Sequence, residues 1–216
     1  MVFFLVMGGG SRPAPANDSP APVATPTQTP LVVAWLQDHH QFLQRYLAVL
    51  WRAEHDYRFD YVVPPLLIPA TIDIFSGSIV PINELERQYL YPPVGRRMPA
   101  DQQHNLAMID HAIEREYTRF ERLQQTVSDV ERGAAPTQLG EPFGVLAGAI
   151  RRQLVFEEEQ LVPLLAQVPP SEQTHMLRQL QVGQRQLFGP QGQQPYEQLL
   201  TALEDALKAL GNGRVW

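Results

Sequence analysis

The chain has 216 residues, of which 44% are hydrophobic, and a formal net charge of −6. This length suits one domain with a substantial buried core, and the acidic balance argues against nucleic-acid binding, which depends on neutralising phosphates. The absence of cysteine excludes disulfides, thiolate nucleophiles and Cys-based zinc sites, and it is compatible with a cytoplasmic location.

The first 29 residues do not have the pattern of a folded segment. The opening stretch MVFFLVM is apolar but too short to span a bilayer, and no positive charge precedes it as in a secretory signal. A mis-assigned start codon or a truncated leader would account for it equally well. The stretch that follows is rich in Pro and Gly and poor in large apolar residues, so we predict residues 1–29 to be disordered or polyproline-like.

From residue 30 to residue 216, apolar residues recur at three and four positions, which predicts an all-α domain. Four long helices are expected in a bundle over residues 30–167, at about 30–56, 70–91, 100–132 and 141–166. Two further C-terminal helices are expected within residues 171–210. Pro81 lies inside the second helix and crowds the carbonyl of Gly77, so a kink is expected there.

The bundle region contains an internal repeat. Asp38-His39 is followed by the stretch ERQYLYP that starts at Glu86, and Asp110-His111 is followed by EEEQLVP, which starts at Glu157. The separation from histidine to glutamate is 47 positions in the first half and 46 in the second. The repeat predicts two related helical hairpins that form an up-down four-helix bundle with approximate two-fold symmetry.

The repeat also selects candidate metal ligands. His39, Glu86 and Glu157 lie on the apolar stripes of their helices, and His111 occupies the position equivalent to His39. An unpaired carboxylate in a core is costly unless it is neutralised, paired or bound to a metal. Imidazole nitrogens with carboxylate oxygens are a usual ligand set for iron, manganese or zinc, so these four residues predict a metal site.

Three histidines leave alternatives open. The clearest apolar face of the third helix carries Ile109, Ile113 and Phe120, and His111 lies roughly half a turn from it. Either both faces of that helix are covered, or His111 is exposed. His104 shares the face of His111, and His40 is expected on the flank of the first helix, so both are weaker candidate ligands.

Together, these stretches resemble the hemerythrin-like, or HHE cation-binding, domain family over about residues 31–165. The resemblance implies an up-down helical bundle with a non-heme di-iron centre that binds oxygen or senses oxygen or redox state. It maps the family's ligands onto His39, Glu86, His111 and Glu157. The stretches that carry it are LQDHHQFL, LERQYLYPPV, MIDHAIEREY and FEEEQLVPLL.

The sequence departs from the family pattern once in each half. Where the family has a histidine four residues before each carboxylate, this chain has Ile82, with Asn83 beside it, and Gln153. Two functions follow as expectations. One is a reduced site that still binds iron, and with it O2, for oxygen binding or for oxygen or redox sensing, in preference to an oxidase. The other is a metal-free bundle that binds a ligand, a protein partner or a second copy of itself.

Overall fold

In this computed structural model, residues 31–211 are described, with the backbone alone for Gln102. The regular secondary structure of these residues is entirely helical and contains no β-strand, which confirms the all-α prediction. The predicted N-terminal segment 1–29 lies outside it. The α-helices are α1 (Leu31–Arg58), α2 (Leu67–Ile74), α3 (Val80–Tyr89), α4 (Tyr91–Gly95), α5 (Gln103–Glu131), α6 (Gly140–Phe156), α7 (Val162–Leu165), α8 (Pro170–Phe188) and α9 (Gln194–Leu210).

The helix ends follow local sequence signals. α5 ends in a Schellman motif, in which Gly133 takes a φ of 107° and Ala134 N–H donates to the carbonyl of Asp129 at 3.0 Å. Glycine suits this position because a Cβ would be strained at that φ. None of the helices within residues 31–211 is long and apolar enough to cross a membrane.

Two π-helical segments interrupt the second and fourth predicted helices. Phe75–Ile79 joins α2 to α3, and Glu157–Leu161 joins α6 to α7. Each segment ends two residues before a proline, Pro81 in the first case and Pro163 in the second. A proline ring lacks an N–H and crowds the carbonyl four residues earlier, and a widened turn relieves both problems. The distortion expected at Pro81 therefore takes the form of a π-helical turn, and Pro163 repeats it.

Side-chain contacts show three antiparallel helix neighbours. α1 and α5 each run antiparallel to α6 together with the π-helical segment that follows it, and α3 runs antiparallel to α5, so that in each case the residue numbers run in opposite directions. The contacts are His40 with Glu157 and Glu54 beside Gly144, then Asn105 with Gln160 and Arg122 with Glu141, then Arg87 with Asp110 and Glu84 with Tyr117.

The two C-terminal helices are part of the core rather than appended to it. α8 packs on α1 and α3, where the Trp35 indole donates to Gln184 at 3.1 Å. α9 packs on α1 and α2, and Arg45 bonds both carboxylate oxygens of Glu204 at 3.0 and 2.8 Å. The apolar face of α9 joins the same buried cluster as α1, α2, α5 and α6, through Leu200, Leu203 and Leu207.

Gly77 permits the close approach of α9 to the first π-helical segment. A Cβ at this position would overlap the ring of Tyr196, whereas a Cβ on Gly148 in α6 would meet nothing nearer than Arg152 Nη1 at 3.7 Å. Both Gly→Ala changes gain about 1 kcal/mol of helix propensity. We expect Gly77→Ala to be about 1–3 kcal/mol less stable than Gly148→Ala, because only the former overpacks. Urea unfolding of the two variants measures the difference, and equal stabilities would contradict the close packing.

Candidate functional site

A layer of buried polar side chains lies between two apolar clusters. The Tyr46 cluster includes Phe42, Phe75, Phe120, Phe143 and Leu154, and the Ile82 cluster includes Leu36, Leu90, Ile113, Leu161 and Met176. His39 on α1, Glu116 on α5 and Glu157 after α6 each lie where the helix passes from one apolar cluster to the other. Glu86, on α3, lies one turn inside the Ile82 cluster.

The side chains of this layer are almost completely inaccessible to solvent. His39 and His40 are 4% and 3% exposed, and the remaining members are at 0%, apart from Tyr91 at 7%. Carboxyl groups are rarely buried to this extent without partners. We call the set the polar layer, and its members are His39, His40, Asn83, Glu86, Tyr91, Glu116, Gln153 and Glu157.

Glu157 is the best-satisfied carboxylate of the polar layer. His40 Nε2 lies 2.8 Å from one of its oxygens, and the Gln153 amide and the Tyr91 hydroxyl donate to the other at 2.8 and 3.2 Å. Because a carboxylate accepts hydrogen bonds, Nε2 of His40 carries the proton in this pair. The first residue of the second π-helical segment is therefore held by donors from α1, α4 and α6.

Gln153, at one of the two positions where a histidine was expected, bonds the residue beside the other such position. The Gln153 amide also donates to Asn83 Oδ1 at 3.2 Å. Ile82, the residue at the expected histidine position, belongs instead to the apolar cluster named after it. An amide pair formed by Gln153 and Asn83 thus lies next to Ile82 in the core, and only Gln153 stands at an expected histidine position.

Three members of the polar layer make no hydrogen bond of normal geometry through either of their polar atoms, although the Asn83 amide lies near Glu116. They are Glu86, Glu116 and His39, which together contribute four carboxyl oxygens and two ring nitrogens. Each unsatisfied buried polar atom costs about 1–3 kcal/mol relative to a satisfied one. A concentration of six such atoms in one layer is the kind of exception that signals an ion, water or catalytic role.

Burial and mutual repulsion keep these groups uncharged. The pKa of Glu86 is raised well above its ordinary value by burial and then by the charges of Glu157 and Glu116. Burial and then the charge of Glu157 likewise raise the pKa of Glu116, against the opposite influence of Asn83 and Arg152. Burial, followed by the proximity of His40, lowers the pKa of His39 to about 3. In the metal-free layer, burial and repulsion therefore favour the neutral carboxylic acid at Glu86 and Glu116, and burial favours the neutral imidazole at His39.

The four predicted ligands do not all reach this layer. His39, Glu86 and Glu157 are buried in it, as their apolar stripes predicted, but His111 is exposed. Of the two alternatives left open for His111, the exposed one is found, because α5 is covered by its neighbours on the face of Ile109 and Ile113, half a turn away. His104 is also exposed, and its Nδ1 bonds the carbonyl of Asp101 at 2.8 Å. His40, expected on the flank, is buried.

Glu116 is the residue of the polar layer that the sequence reasoning missed on α5. It follows Ile113 by three positions and precedes Phe120 by four, so it lies on the apolar face of that helix. The signal was present in the same stripe that argued against His111. The internal repeat did not identify Glu116, because a repeat aligns sequence positions and carries no information on which face of a helix is buried.

The side chains of the polar layer are of the types that bind metal ions, but they do not surround a common point at which an ion would bind. Carboxylate oxygens and neutral imidazole nitrogens are ligands for iron, manganese and zinc, and the unpartnered atoms are of these types. Within residues 31–211, however, no group of three His, Asp or Glu side chains is arranged to hold a metal ion. Comparisons with protein-family models, with curated proteins and with solved structures found no match for this chain.

Proposed function

We propose that this chain is a hemerythrin-like up-down helical bundle that binds a non-heme metal ion, namely iron, in the polar layer. The observation that carries the proposal is a set of six buried atoms that make no hydrogen bond and could bind a metal ion, namely the carboxyl oxygens of Glu86 and Glu116 and the ring nitrogens of His39. The antiparallel pairing of α1 with α6, α6 with α5 and α5 with α3 supports the up-down arrangement.

The physical argument is one of charge compensation. Three glutamates buried close together repel one another when ionised, and in the metal-free protein Glu86 and Glu116 avoid this by remaining protonated. A divalent cation that replaces those protons removes both the repulsion and the unsatisfied oxygens. Buried acidic groups that are stable only when protonated or metal-bound are expected to couple metal binding to proton release.

The residues that would hold the metal are Glu86, Glu116, Glu157 and His39, with His40 bonded to Glu157. Bound iron would supply reversible redox chemistry and oxygen binding, from which a sensing or carrier role follows. The protein's own part is to exclude water with the two apolar clusters and to hold Glu157 in place through His40, Tyr91 and Gln153. His111 is not part of the proposed site.

A second candidate function is a metal-free bundle that acts as an interaction module. The observation in its favour is that Glu157 is already satisfied by three protein donors, and that Gln153, at one expected histidine position, bonds Asn83, the neighbour of the other. In that case the polar layer would specify the packing of the helices instead of binding a ligand.

Metal content measured on matched variants of α5 distinguishes the two functions. The wild-type chain, stripped with chelator and reconstituted with Fe²⁺ without oxygen, is expected to retain about one or two ions per chain after desalting. Glu116→Ala should lose most of this metal because it removes a buried ligand, and His111→Ala, five positions away and exposed, should retain it. Elemental analysis gives the stoichiometry.

Three results are possible besides the expected one. Less than about 0.1 ion per wild-type chain would reject metal binding and favour the metal-free module. Loss of metal in His111→Ala with retention in Glu116→Ala would reject this ligand set. Equal loss in both variants, with the far-ultraviolet circular dichroism unchanged, would show that the metal binds outside the polar layer.

A further inference from the structure

His40 connects the buried polar layer to the protein surface. Its Nε2 faces Glu157 at 2.8 Å, and its Nδ1 faces Glu158 Oε1 at 3.6 Å. Glu157 is fully buried, whereas the Glu158 side chain is half exposed. One imidazole ring therefore lies between an inner and an outer carboxylate that are adjacent in the chain.

The outer side of this ring opens into a surface groove of about 540 Å³. Successive turns of α1 line this groove with neutral amide side chains, and the second π-helical segment lines it with a carboxylate. The residues that line it are Gln37, His40, Gln41, Gln44, Glu158 and Val162. Among these lining residues, Glu158 provides the acidic group.

The protonation of His40 leaves a lone pair directed at the groove. In the tautomer that donates from Nε2 to Glu157, the lone pair of the ring is on Nδ1, the nitrogen that faces Glu158 at the groove. The 3.6 Å between Nδ1 and Glu158 Oε1 is too long for a hydrogen bond. It is close to the roughly 3.4 Å that separates two tetrahedral ligands, each about 2.1 Å from one metal ion.

We propose that His40 Nδ1 and Glu158 form an outer capture site, at which a hydrated divalent cation first binds before it reaches the polar layer. This inference rests on the proposed function, because it assigns a route to that same site. Two protein ligands with water in the other positions give a weak and rapidly exchanging complex. Such a site raises the local cation concentration and the loading rate but does not set the final stoichiometry.

The test is the rate at which the metal-free full-length chain takes up Co²⁺, followed by its absorption in a stopped-flow instrument. Glu158→Gln is expected to slow uptake about fivefold or more, with the final Co²⁺ stoichiometry unchanged. Glu159→Gln removes the same charge from the neighbouring exposed position, and it should change the rate less than about twofold. Gln41→Glu, which adds a carboxylate to the groove, should accelerate uptake.

The outcomes separate this inference from the proposed function. If the wild-type chain binds no Co²⁺ at equilibrium, both are overturned. If it loads fully and the Glu158→Gln and Glu159→Gln variants load at equal rates, the capture site alone is overturned. A lower final stoichiometry in Glu158→Gln would also overturn it, because Glu158 would then be a ligand of the inner site.

Discussion

Replacing Glu86 by leucine is expected to stabilise the metal-free protein by about 1–4 kcal/mol and to abolish its stabilisation by metal. The Glu86 carboxyl is fully buried, both of its oxygens lack partners, and it lies inside the Ile82 cluster. Leucine removes the unsatisfied oxygens and adds apolar contact at similar volume. The free energy of unfolding is measured in urea with EDTA present.

The same variant tests whether the carboxyl serves the metal. With free Fe²⁺ at about 100 times its dissociation constant, the wild-type chain should gain about 2.7 kcal/mol, and Glu86→Leu should gain little. Gln88→Leu, at an exposed position of α3, is the control, and its stability should change by no more than about 0.5 kcal/mol. If Glu86→Leu instead destabilises the metal-free protein, the carboxyl has a structural role and the metal-free module is favoured.

The metal-free protein is expected to lose stability as the pH rises above about 6.5. The folded-state pKa values of Glu86 and Glu116 lie well above the ordinary 4.5, so these carboxyls release their protons at higher pH in the native chain than in the unfolded chain. Each such proton lowers the free energy of unfolding by about 1.4 kcal/mol per pH unit. Together they give about 2.7 kcal/mol per unit while both carboxyls remain protonated.

His39 acts in the opposite direction, and in a different pH range. Its pKa is lowered from 6.5 to about 3, so the unfolded chain binds a proton first as the pH falls below 6.5. The stability associated with the neutral ring is therefore lost on acidification between pH 6.5 and 3. Well above pH 6.5 the His39 ring is neutral in both states, so its contribution no longer changes with pH, whereas those of Glu86 and Glu116 still do.

A single variant isolates the contribution of one carboxyl to this slope. Glu116→Gln should roughly halve the dependence on pH between 6.5 and 8, because the amide does not titrate. Glu121→Gln, at an exposed position of α5, should leave the slope unchanged. Urea unfolding in EDTA at several pH values measures it. Stability that stays level or rises over this range would show that the two carboxyls are ionised in the folded protein.

Much of the fold could be predicted because it depends on local signals. The helix ends near residues 58, 131, 165 and 210 follow from apolar periodicity, from Gly133 and from the prolines. The burial of His39, Glu86 and Glu157 also followed, because each lies on the apolar stripe of its own helix. The π-helical form of the two interruptions could not be predicted, because proline requires a local distortion without specifying which kind.

The candidate site was harder to predict because it depends on which face of each helix is covered. His39 and His40 are adjacent on α1, and both are buried because α6 covers one flank of that stripe, where His40 bonds Glu157. Sequence spacing alone puts about 100° between adjacent residues of a helix, which suggested that only one of them faces inward. Because Glu157 and the helix before it cover the flank of α1 that carries His40, both histidines are buried.

The sequence by itself determined that this chain forms long amphipathic helices and that imidazole and carboxyl groups interrupt their apolar stripes. Periodicity is a property of one helix, so one helix is enough to establish it. Only the tertiary structure decided that α5 contributes Glu116 and not His111, and that Gln153 meets Asn83. These pairings depend on how each helix is rotated against its neighbours, and that rotation is set by the packing of all the helices together.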